Sequence, residues 1–125
     1  MQNEEVLLID MDTLCQGHPV FELASMYNAY VGFSELDNSI SDSFLGIPHE
    51  VAVSIWKRSL PLYLGTDDKE KIEQVEKKAM LIGYTRLMRR LIRRHGLETD
   101  QGRREIETYK NHIIDLLDEV DTLVF

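Results

Sequence analysis

Two aspartates at i, i+2, Asp10 and Asp12, close an apolar run, Val6-Leu7-Leu8-Ile9, and Gly17-His18-Pro19 follows a few positions on. Carboxylate oxygens are the ligands a hard divalent cation takes, and this spacing puts both side chains on one side of an extended strand, where both can face one Mg²⁺. Four consecutive large apolar residues predict a buried strand over about 5–11, because a half-solvated one would alternate. A carboxylate ending such a strand is costly unless a cation or N–H groups compensate it, so Asp10 is either structural or a metal ligand. Asp12 is open to a second reading, as the cap of the turn into Thr13.

Other chemistry finds less support. The four histidines, His18, His49, His95 and His112, are dispersed, and none forms an i, i+4 pair that would suggest zinc. His112 with Asp115 or Glu119 reads as a helix-surface pair. The single Cys15 has no assignable His partner and reads as a small packed residue. Nucleophile-elbow, Walker and dinucleotide-binding glycine patterns are absent.

The run Leu8-Ile9-Asp10-Met11-Asp12, the turn Gly17-His18-Pro19 and the start Phe21-Glu22-Leu23-Ala24 together resemble one region of the aminoglycoside phosphotransferase and choline kinase branch of the protein-kinase-like enzymes. That region is the metal-binding strand and the helix after it, with the pattern I-D-x-[DE], Gly-Asp-Pro, Asp-Leu-Ala. The likeness covers about residues 6–33. It implies that Asp10 holds the Mg²⁺ bridging the phosphates of ATP or GTP, with Asp12 assisting, and that the complete enzyme phosphorylates a small-molecule alcohol or amine. Two departures stand out: His18 replaces the Asp of the turn, and Glu22 replaces the Asp of Asp-Leu-Ala.

The phosphate-covering loop, the phosphate-pairing Lys and the H-G-D-x-x-x-x-N catalytic loop of such enzymes do not occur in these 125 residues, and Met1 lies only nine residues before Asp10. The resemblance therefore implies the C-terminal helical part of a phosphotransferase, without catalytic residues of its own and inactive as a separate chain. The contrasting expectation, from a different functional class, is a non-catalytic helical interaction domain. Removing the strand's family partner leaves residues 6–9 as an unpaired apolar edge, which predicts self-association through that segment or else a disordered strand.

The chain carries 22 acidic and 14 basic residues for a net charge of −8, and 43% of it is hydrophobic. This describes one domain over residues 1–125, able to bury most of a core. With no signal peptide or long apolar span, the expected setting is cytoplasmic, without a membrane. Charge is unevenly placed: residues 1–50 hold nine Asp or Glu and no Lys or Arg. Such a surface either favours metal ions and cationic acceptors and repels nucleic acid, or is balanced by basic surfaces of the family's other lobe or by the arginine-rich helix. Arg86, Arg89, Arg90, Arg93 and Arg94 form one helical stripe, read as a solvated face or one paired with carboxylates of the last helix rather than an RNA site.

The remaining pattern predicts a mainly α fold, the helical C-lobe part of a kinase-like fold with one short N-terminal strand. Pro19 opens a first helix, apolar nearly all round, running to about Val31. Residues 33–47 form a loop with one short helical turn around 41–45. Pro48 opens a second helix with Val51, Ile55, Trp56 and Leu60 as its core stripe, bent or interrupted by Pro61 before Gly65. Thr66 or Asp67 caps a long third helix ended by Gly96, and Thr99 or Asp100 caps a final one carrying Ile106, Tyr109, Ile113, Leu116, Leu117, Val120 and Leu123.

Overall fold

The computed structural model describes residues 6–7 and 16–125. Among the described residues there are five α-helices, α1 Pro19–Tyr30, α2 Ser39–Leu45, α3 His49–Leu64, α4 Lys69–Arg93 and α5 Asp100–Leu117, with 3₁₀ turns at Gly32–Ser34 and Gly96–Glu98. The mainly α class therefore holds. The short strand expected over about 5–11 is not seen: Val6 and Leu7 belong to no sheet and are exposed, and the remainder of that segment lies outside the described residues. A strand needs a partner ladder, and the described residues contain none.

Helix α4 is the axis of the molecule. Its 25 residues run about 37 Å. Helices α1 and α5 both lie along it, while α3 packs chiefly on α1 and touches α4. Leu23 and Tyr27 of α1, Trp56 and Leu60 of α3, Val75, Ala79, Tyr84 and Leu87 of α4, and Tyr109 and Leu116 of α5 form the core. With Gly83, which is also buried, the α4 positions 75, 79, 83 and 87 recur at four and 84 and 87 at three, as an amphipathic helix requires.

The helix starts are built from side-chain acceptors. Nδ1 of His18 accepts from the Val20 N–H at 3.1 Å, with Pro19 in the first turn, where its missing donor is harmless. Thr99 caps α5 by accepting from Gly102. For α4 the cap is Asp68, which accepts from Glu70 and Lys71, while Thr66 accepts from the Asp68 N–H. Thr66 thus shapes the turn before the cap instead of serving as the cap.

Three expectations are corrected. Pro61 does not break α3, which runs on through it to Leu64, and Gly65, at φ 64°, ends the helix by donating to the Pro61 carbonyl. The buried stripe of α3 is Ala52, Trp56 and Leu60, whereas Val51 and Ile55, one residue earlier and so about 100° round the helix, are exposed. On α5, Leu117 is likewise exposed, and the helix ends there, before Val120 and Leu123.

Gly96 does not supply the left-handed residue after α4; His95 does, at φ 61°. Gly96 and Gly102 serve instead as a contact between backbones. A Cβ on Gly102 would sit 2.1 Å from the Gly96 carbonyl oxygen, and both partners are main chain. Gly102→Ala is therefore expected to destabilise by about 3 kcal/mol through overpacking. In an open helix interior the same change would stabilise by about 1 kcal/mol. Urea unfolding of the variant settles the sign, and a gain in stability would contradict the close approach.

Candidate functional site

Asp10 and Asp12, the expected metal ligands, lie outside the described residues, as does Cys15. Among the described residues no group of three or more His, Cys, Asp or Glu side chains is placed to hold a metal ion. No described helix is long and apolar enough to cross a membrane. What the described residues do place is the start of α1, directly after the Gly17-His18 turn. The imidazole of His18 does there what an Asp does at a helix start, accepting an otherwise orphaned N–H. Glu22 falls in the first turn and keeps a negative charge near the positive end of the helix dipole.

Beneath this helix a polar chain runs from the core toward the surface. The Tyr27 and Tyr84 hydroxyls are 2.9 Å apart, and the Tyr84 hydroxyl donates to Oε1 of Glu35 at 3.1 Å. His112 Nε2 approaches the same carboxylate oxygen at 3.1 Å, and its ring stacks on Tyr84 with centroids 4.7 Å apart. The expected pairing of His112 with Asp115 or Glu119 is thus replaced by Glu35, and Glu119 is taken by Lys77. Burial raises the ionisation of Tyr27 and Tyr84 well above the ordinary phenol range, and pushes Tyr109 up to about 12. The three phenols stay neutral near pH 7 and are not nucleophiles or bases there, and those of Tyr27 and Tyr84 serve in the hydrogen-bonded chain. Their effect is to tie the 32–35 turn to α4 and α5.

That turn is one wall of a cleft of about 280 Å³. Phe33, Leu36, Ile40 and Phe44 face Leu87, Leu91 and Tyr109 across it, and Asp37 and Glu105 add carboxylates against the single guanidinium of Arg90. Phe33 and Phe44 meet edge to face at 5.9 Å, giving the cleft an aromatic side. Asp37 is kept ionised below the usual carboxylate range by hydrogen bonds from the Ser39 hydroxyl and backbone N–H. An apolar or aromatic body with an amine group suits this combination. Residue spacing gave little sign of it: Phe33 and Tyr109 belong to segments far apart in the chain.

The arginine stripe is exposed on α4. Arg86 donates to the Phe21 carbonyl at 3.0 Å and to Ser25 Oγ at 2.6 Å, its guanidinium over the Phe21 ring, and Arg90 lies over Phe33 at 5.0 Å. Pairing with carboxylates of the last helix does not occur. Among the described residues none of the five arginines forms an ion pair; Asp100, Glu107 and Glu119 pair instead with Arg103, Lys110 and Lys77. Like charges at 86/90, 89/93 and 90/94 each work against the helix by about 0.2–0.5 kcal/mol.

No family model, curated protein or solved structure matches the chain.

Proposed function

We propose that this chain is the helical C-terminal part of a small-molecule kinase of the aminoglycoside phosphotransferase and choline kinase kind, acting in the cytoplasm. The observation that carries the reading is the start of α1: a capped helix begins at Pro19, in register with the family's turn, and His18 supplies the cap in place of Asp. Support also comes from the cleft at Phe33, Phe44, Asp37 and Glu105, whose aromatic side and excess of carboxylate suit an amine-bearing acceptor.

Two carboxylates two residues apart, Asp10 and Asp12, are an oxygen-only donor set suited to Mg²⁺, and the described residues add no further ligand cluster. When bound with ATP or GTP, Mg²⁺ neutralises charge building on the transferred phosphoryl group. The chain's own part is to seat the helix that follows Asp10 and Asp12 in sequence, through the His18 cap and the burial of α1. Against the same scaffold the cleft orients the acceptor, and positioning of this kind supplies much of phosphoryl-transfer catalysis.

Mn²⁺, a paramagnetic stand-in for Mg²⁺, tests the assignment by NMR. Millimolar-range binding is expected to broaden the Val20 and Phe21 amides, to strengthen when ATP is added, and to be lost in Asp10→Asn. Broadening that survives Asp10→Asn, or none at all, would remove the metal role. Reading the gene upstream of Met1 tests the family: an H-G-D-x-x-x-x-N loop in the same frame is expected. A second reading, a non-catalytic helical interaction domain that self-associates through residues 6–9, is favoured by the exposure of Val6 and Leu7. A stop codon upstream together with a dimer by light scattering would support it instead.

A further inference from the structure

We infer that the arginine stripe of α4 is a binding site for a short, multiply charged phosphate anion, of the inorganic tripolyphosphate class. Among the described residues, Arg86, Arg89, Arg90, Arg93 and Arg94 alone line a concavity of about 480 Å³. Five guanidinium groups gather there in a protein of net charge −8, and none forms an ion pair with a carboxylate of the described residues, although Arg90 also borders the cleft that holds Asp37 and Glu105. The C-terminal end of α4 offers only about half a negative charge to offset them.

The site is also partly pre-ordered. Arg86 is held by the Phe21 carbonyl, Ser25 Oγ and the Phe21 ring, and Arg90 rests on Phe33, so two of the five guanidinium groups are already positioned. Arg89, Arg93 and Arg94 make no side-chain hydrogen bond to a described residue and are free to close on a ligand. Planar guanidinium forks match phosphate oxygens two at a time, which favours phosphate over a simple halide or a lone carboxylate.

Length and surroundings select a short anion. From Arg86 to Arg94 the stripe spans about 12 Å. A long nucleic acid would run past it onto a surface of net negative charge, and the neighbouring aromatic rings, Phe21 and Phe33, already lie beneath Arg86 and Arg90 and are not offered for base stacking.

Calorimetric titration of the chain with sodium tripolyphosphate provides the test, with orthophosphate and a short duplex RNA as parallel arms. One-to-one tripolyphosphate binding is expected, weakening at least about tenfold between about 50 and 200 mM salt. The variant Arg89→Gln/Arg93→Gln/Arg94→Gln should bind at least about tenfold more weakly while keeping its circular dichroism. Should that variant misfold, Arg93→Gln alone should weaken tripolyphosphate binding by about two- to fivefold, the loss of one exposed charge pair. Unchanged binding by the variants overturns the inference. So does orthophosphate binding as tightly as tripolyphosphate, RNA binding more tightly than either, or salt-sensitive self-association without tripolyphosphate binding.

Discussion

Trp56→Ala is expected to lower the unfolding free energy by about 3–5 kcal/mol, the cost of emptying a large aromatic site. Trp56 is the largest fully buried side chain, at 1% exposure. It meets Tyr27 edge to face at 5.6 Å, and its Nε1 donates to Oε2 of Glu76 at 2.6 Å, joining α3 to α1 and α4. Typical domains are stable by only about 5–15 kcal/mol, so the variant should be near its unfolding midpoint in mild denaturant. Trp56→Phe separates packing from the hydrogen bond. It keeps a ring in the site and removes the donor, but Glu76 still accepts from Lys57 at 2.9 Å, so about 1–2 kcal/mol is expected. Circular dichroism in urea reads both variants, since the substitution removes the chain's one tryptophan. Equal losses in the two would show that packing on α1 contributes little.

The helices were legible because each carries its own information. The three-four recurrence on α4, Pro19 and Thr99 at helix starts, and Gly65 after Leu64 are local signals, and the structure has all of them. Failures fall where the decision is made at a distance. Val51-Ile55 and Ala52-Trp56 both satisfy the helical period, and only the position of α1 decides which pair is buried. Gly96 looked like a helix terminator, yet its real constraint comes from Gly102 in the next helix. His112 had acidic residues within one turn, but the 32–35 segment brings it Glu35, and Tyr27 meets Tyr84 across 57 residues. The arginine stripe was visible as a spacing pattern. Its lack of ion-pair partners was not, since that depends on where other elements place their carboxylates, and Glu107 and Glu119 are placed beside Lys110 and Lys77. Asp10 and Asp12 were legible as a chemical pair, and that expectation falls outside the described residues.

Raising the pH above about 10 is expected to unfold the protein cooperatively through its three buried phenols. Tyr27, Tyr84 and Tyr109 are each raised above the ordinary value of 10.0, with loss of solvent the largest cause in every case. Tyr84 is raised further by its neighbour Tyr27 and by Glu35, and Tyr109 by Glu105 and Glu35. A raised folded-state value means the unfolded chain gives up these protons first. The stabilisation is whole below about pH 10 and is lost as pH rises through the folded values, about 12 for Tyr109. Each proton released on unfolding contributes about 1.4 kcal/mol per pH unit, so three give a slope of about 4 kcal/mol per unit. Lys77, raised by Glu119 and Glu73, acts in the same direction but is an exposed surface pair, and Tyr84→Phe isolates the buried phenols from it. That variant should show a slope shallower by about 1.4 kcal/mol per pH unit. In the unmodified chain, phenolate absorbance near 295 nm and helical dichroism should change together, with three tyrosines ionising only as the helices melt. Ionisation of all five tyrosines with the dichroism intact would mean that the Tyr27, Tyr84 and Tyr109 hydroxyls are open to solvent, and that the chain from the core to Glu35 does not hold the 32–35 turn in place.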